Sequence, residues 1–173
     1  MRTRVAAAAA FLLAASAVAA PLKLDWQCGK NSIVKDNLLI VSVPRDDKKA
    51  GTEMARAEID LAPYLGRMVE IRVKCTGFDM TKAAQAHHGS KLMLHYKDLD
   101  TGLDQWPQAG TVLGTFKDRE IRLRDYIASK RIDKAQLSFG IQFAAGTFIM
   151  DLSTLEIAAV ELKGGEIYRV KNP

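Results

Sequence analysis

KAQLSFGIQFAAG, Lys134 to Gly146, is the most regular stretch of this chain. Leu137, Phe139, Ile141 and Phe143 share one parity; Gln136, Ser138, Gly140 and Gln142 share the other. Successive strand side chains point to opposite faces, so a period of two marks a strand with one buried face. The alternation predicts an apolar inner row that includes Phe143. It predicts an outer row of amides and a hydroxyl, with Gly140 leaving room above the sheet.

The same period recurs to either side. In MVEIRVKC, Val69, Ile71, Val73 and Cys75 oppose Glu70, Arg72 and Lys74. In SKLMLHYKD, Leu92, Leu94 and Tyr96 oppose Lys91, Met93 and His95. Ala57, Ile59 and Leu61 alternate with Arg56, Glu58 and Asp60, and Pro63 and Gly66 then make a turn. SIV and NLLIVSV flank Lys35-Asp36-Asn37, a hairpin-like spacing. EIRLRDYI places Ile121 and Leu123 inward and Arg122 outward, and TFIMDLSTLEIAAVEL offers two further extended stretches. Thr81 to Ala86 suits one helical turn inside a loop; Arg124 to Ile132 suits a short helix or an irregular crossover. No long amphipathic helix competes. Many short alternating strands with turns between them predict an all-β fold, a jelly-roll β-sandwich.

The chain has 173 residues, a length that fits one domain. Its start, MRTRVAAAAAFLLAASAVAAPLK, carries Arg2 and Arg4, then an apolar run, then small residues around Ala17-Val18-Ala19. That is the pattern of a secretory signal peptide. The expected division is residues 1–19 as signal peptide, 20–162 as the sandwich and 163–173 as a linker or frayed tail. The expected location is secreted or periplasmic, with no membrane association after cleavage. The formal charge of +5 falls to +3 without Arg2 and Arg4. The remaining basic residues are scattered, which argues against nucleic-acid binding.

Cys28 and Cys75 are the only cysteines. In an exported protein an even count suggests a disulfide, worth roughly 4 kcal/mol across so long a loop. Two free thiols read equally well, since Cys75 continues an apolar face.

Conventional catalytic patterns are absent: no G-x-S-x-G, HExxH, P-loop or CxxC. His87 and His88 are adjacent in a loop and suit a solvated pair better than a metal. Asp98, Asp100 and Asp104 cluster around a loop, where Asp commonly satisfies turn backbone; a carboxylate pair for glycoside hydrolysis is the sharper alternative. No cofactor is required. Glu58 and Asp151 are oxygen donors of the kind a structural calcium takes, and they read more simply as surface carboxylates.

The outer faces point elsewhere. Trp106 stands in the polar stretch TGLDQWPQAG, which lacks the apolar period of a core element. Polyhydroxylated ligands need a flat apolar wall and a few orienting amides. Trp106 would supply the wall; Gln105, Gln108, His95 and Gln142 would hydrogen-bond hydroxyls. Alternatively Trp106 folds back as a lid on the sandwich edge. Trp26, near Leu22 and Leu24, packs under the first strand.

Ser90 to Leu123, followed by Ala135 to Ile157, resembles the jelly-roll accessory domains of secreted glycoside hydrolases, in the galactose-binding-domain-like superfamily. The likeness is to the domain preceding the catalytic barrel of family five enzymes. It is carried by Leu61, Tyr64, Gly66 and Arg67, by Trp106 to Gln108, by Gly114 to Phe116, and by Gly146 to Asp151. Lys117 departs from it, standing where such domains often carry an aromatic, and no barrel is encoded before Pro173. The resemblance implies an exported, non-catalytic carbohydrate-binding module associated with polysaccharide degradation. Its partners would be a polysaccharide or oligosaccharide and a glycoside hydrolase catalytic domain. The alternative it leaves is a docking module that binds no glycan. A small sandwich hydrolase is the third reading.

Overall fold

The structure is a computed structural model and describes residues 22–45 and 51–161. The proposed signal peptide, the centre of the charged loop after Pro44 and the tail from residue 162 lie outside the described residues. Ten strands follow one another: β1 (Ser32–Lys35), β2 (Leu38–Val43), β3 (Thr52–Ile59), β4 (Met68–Met80), β5 (Gly89–Lys97), β6 (Asp104–Gln105), β7 (Gly114–Tyr126), β8 (Ala135–Gln142), β9 (Gly146–Asp151) and β10 (Glu156–Ala159). They pair antiparallel into two sheets. One sheet runs β1-β2-β9-β4-β10, with β7 also on β4; the other runs β3-β8-β5-β6. The chain is an all-β sandwich, consistent with a jelly roll.

Alternation explains the packing. Leu137, Phe139 and Ile141 on β8 are fully buried, as are Val69, Ile71 and Val73 on β4. The sheets meet where Phe139 stacks on Phe148 of β9, ring centroids 4.3 Å apart. At the margin of the core the Tyr96 hydroxyl of β5 donates to Asp125 Oδ2 of β7 at 2.8 Å, tying one sheet to the other. Asp36 and Asn37 both take positive φ, 51° and 60°, which a two-residue hairpin of the first primed type requires. Trp26 is half-buried against the core, in an N-terminal segment that bridges to β3 at Gln27 and Arg56.

Several expectations change. Thr81 to Ala86 forms no helical turn. The Thr81 hydroxyl instead accepts from the Ala145 amide at 2.8 Å, so it joins two loops rather than capping a helix. Arg124 to Ile132 is no helix either: β7 continues to Tyr126, and an irregular crossover follows. Phe143 does not join the core. β8 ends at Gln142, and Phe143 turns to φ 49° with half of its surface exposed.

The thiols are not bridged. Cys75 is buried on the inner face of β4, while Cys28 is exposed in the segment beside β3 on the other sheet; both are free. Burial, with Asp151 nearby, pushes the Cys75 thiol well above its ordinary pKa.

Candidate functional site

The outer face of the β3-β8-β5-β6 sheet is set by register. His95 pairs with Gln136, and Gln136 with Glu58. β6 is short, but its pairing with β5 continues past Gln105. Leu94 donates to the Pro107 carbonyl at 2.9 Å, Ala109 donates to Leu92 at 2.9 Å, and Met93 bridges to Gln108. That register sets Trp106 beside His95. Paired residues point to one side of a sheet, so Trp106, His95, Gln136 and Glu58 form a row across all four strands. The adjacent row holds Gln108, Met93, Ser138 and Arg56.

Trp106 is 55% exposed. Its indole stacks on the His95 ring, centroids 3.7 Å apart and planes inclined by 12°. His95 Nε2 in turn meets Asp104 Oδ1 at 2.9 Å. The stack sets the angle of the indole, and more than half of the residue is exposed. The side-chain Oε1 of Gln108 accepts from Lys91 Nζ, which also donates to the His87 backbone carbonyl. Lys91 is on this same face and is buried there, and burial lowers its pKa.

Of the expected ligand contacts, the structure brings together Trp106, His95 and Gln108. Gln105 pairs with Tyr96, an inward-facing residue, so its side chain leaves the face that carries Trp106. Gln142 is on the outer face but six residues from Gln136, about 20 Å along an extended strand. It pairs with Gly89, away from the Trp106 row. Gly140 leaves no room for a ligand. A Cβ there would stand 2.1 Å from the Glu53 carbonyl oxygen, so the space serves the approach of β3. Gln136, which parity put in the outer row but not beside His95, and Asp104, which holds His95, are the neighbours that the pairing reveals.

The carboxylates around the loop have structural work. Asp98 Oδ1 accepts from the amides of Asp100 and Thr101 at 2.8 and 3.1 Å. Asp100 accepts from the Lys130 amide at 2.7 Å and from Arg131 Nε at 3.1 Å. Hydrogen bonds, foremost from Ser129 to Asp98 and from the Lys130 amide to Asp100, hold both carboxyls below their ordinary pKa. A glycosidase's general acid needs the opposite shift. The suggested calcium ligands are not brought together. Glu58 lies on β3, with Lys134 Nζ at 3.3 Å; Asp151 ends β9 in the other sheet and accepts from Ser153. Among the described residues, no group of three or more His, Cys, Asp or Glu side chains could hold a metal ion. A separate cleft of about 620 Å³, lined by Arg67, Met68, Tyr126, Val160 and Glu161, opens in the other sheet where β4 begins and β7 and β10 end.

No family model matches the chain, and no curated protein matches it. Solved structures do align with it. The CBM22-1–GH10 modules of the N-terminal endo-1,4-β-D-xylanase 10B of Clostridium thermocellum, complexed with xylohexaose, match 85% of this chain at 16% identity and a TM-score of 0.49. The chain covers 26% of that structure's length. The CBM22-1 xylan-binding domain from Paenibacillus barcinonensis matches 79% of this chain and 90% of its own, at 9% identity and a TM-score of 0.40.

Proposed function

We propose that this chain is an exported, non-catalytic carbohydrate-binding module that serves polysaccharide degradation. One observation carries the reading: a half-exposed tryptophan held flat on a histidine, in a row with Gln136 and next to Gln108. A pyranose ring stacks its C–H face on the open side of the indole. The Gln136 amide offers the hydroxyls both donors and an acceptor, and Gln108, whose oxygen is held by Lys91, offers its N–H groups. Asp104 fixes the His95 ring, which fixes Trp106, so little ordering is left for binding to impose. The platform is small and open, and the affinity it gives is modest. A glycoside hydrolase domain is the partner such a module serves.

The test is a titration of tryptophan emission with soluble xylan, β-glucan and mannan. Xylan joins the panel because the two aligned structures are named for xylanase and xylan-binding modules. A saturable shift with one glycan supports the reading. No shift and no retention of the protein in gels containing any of the three would end it.

A further inference from the structure

The alternation of β8 assigns Phe143 to the core, yet the residue stands outside it. Its backbone adopts φ 49°, a region that bulky L-residues rarely enter. Its ring is 51% exposed. Strain of this kind persists only where the surroundings enforce it, and it concentrates at functional positions. The surroundings here do enforce it. The Phe143 amide donates to the Gly51 carbonyl at 2.8 Å. Thr81 and Ala145 exchange hydrogen bonds between the two loops, amide to carbonyl at 2.9 Å and amide to hydroxyl at 2.8 Å. Lys91 Nζ donates to the His87 carbonyl. Burial, then the proximity of His87 and Lys91, keeps His88 below the ordinary histidine pKa.

The result parallels the arrangement at Trp106, with the rings tilted by 44° rather than stacked flat. An exposed aromatic ring lies against a histidine: Phe143 and His88 have centroids 4.6 Å apart, with His87 edge-on to His88 at 4.2 Å. An outward amide is near: Gln142 precedes Phe143 in the chain and pairs with Gly89, the residue after His88. Both stations lie along β8 and β5, about 20 Å apart. A flat apolar wall with a neighbouring amide again suits a sugar ring.

We propose that Phe143, His88 and Gln142 form a second sugar platform, engaged by the same polysaccharide chain that lies on Trp106. This rests on the glycan reading of the Trp106 row. A long chain that reaches both stations gains from the high effective concentration of the second contact. A trisaccharide reaches only one.

The experiment compares wild type, Phe143→Gly, Phe143→Leu and Trp106→Ala. Each is titrated with soluble xylan, β-glucan and mannan and with the matching trisaccharides, and melted by circular dichroism. Glycine accepts the positive φ, so Phe143→Gly should hold its melting temperature; Phe143→Leu keeps apolar bulk without a flat ring. Both should lose at least tenfold in affinity for the bound polymer and keep the trisaccharide affinity of the Trp106 station. Wild-type polymer affinity in a folded Phe143→Gly or Phe143→Leu protein would overturn the second platform, whatever Trp106→Ala does. Trisaccharide binding that survives Trp106→Ala would instead overturn the first. Absence of polymer binding by wild type would overturn both.

Discussion

Replacing Trp106 by alanine separates platform from lid, because the two roles differ in what the ring covers. The residue is 55% exposed. A tryptophan side chain offers roughly 200 Å², so about 90 Å² of it is covered here, chiefly against His95. At about 25 cal/mol per Å² the truncation should cost ~2 kcal/mol of folding stability. A fully buried lid would cost ~3–5 kcal/mol once its cavity is counted. Urea unfolding followed by circular dichroism measures the difference, since a fall in midpoint at constant slope is a fall in stability. Binding should suffer more in proportion. An aromatic anchor at the centre of a contact is worth at least ~2 kcal/mol, about 30-fold in Kd. The expected outcome is a folded protein, modestly less stable, that gels containing the bound glycan no longer retain. A loss of ~4 kcal/mol or more would refute the exposure argument and make Trp106 a lid. Unchanged retention with a small stability loss would refute the platform.

Four other outcomes follow from the packing. Gly140→Ala drives a methyl into the Glu53–Met54 backbone and should cost ~1–3 kcal/mol or more, read as a lower urea midpoint; no change would mean that β3 can retreat. Tyr96→Phe removes the donor to Asp125 between the sheets and should cost ~1–2 kcal/mol in the same assay. A thiol reagent should label one cysteine, Cys28, in the native protein and both after unfolding, and reduction should leave the mass unchanged. Asp98 and Asp100 are held below their ordinary pKa, so the folded state binds fewer protons than the unfolded one near and below pH 4. Their contribution is complete above about pH 4 and disappears as the pH falls through the folded values. Asp98→Asn should therefore flatten the decline of melting temperature with acid.

Most of the fold could be read from alternation, because burial on one face is a local property of each strand. Leu137, Phe139 and Ile141 obey it, as do the inward residues of β4 and β5. Phe143 breaks it for a reason that lies elsewhere in the chain. Gly51 takes its amide and Thr81 holds Ala145, and neither contact leaves a trace in the pattern of β8. Gly140 misleads in the same way. A missing Cβ shows only that something comes close, and here it is the neighbouring strand.

The residue types of the candidate site were legible in the sequence; their placement was not. Parity says which side a residue takes; it says nothing about which residues stand side by side. Trp106 meets His95 because β5 and the β6 edge pair at one register, and a shift of a single residue would have turned the indole to the opposite face. The same register separates Gln142 from Trp106 by about 20 Å although both point outward. Gln105 next to Trp106 in sequence faces away for the reason that makes His95 a neighbour. The convergence of Trp106, His95 and Gln136 is thus a property of strand pairing, carried by backbone hydrogen bonds that any residue can make. Side-chain identity supplies the chemistry, and pairing decides whether that chemistry converges. Disrupting the β5–β6 register should therefore remove sugar binding with Trp106, His95 and Gln108 all still present. Proline at Ala109, which would delete the amide that donates to Leu92, is the substitution that does so. Retained glycan affinity in a folded Ala109→Pro protein would show that Trp106 acts without its row.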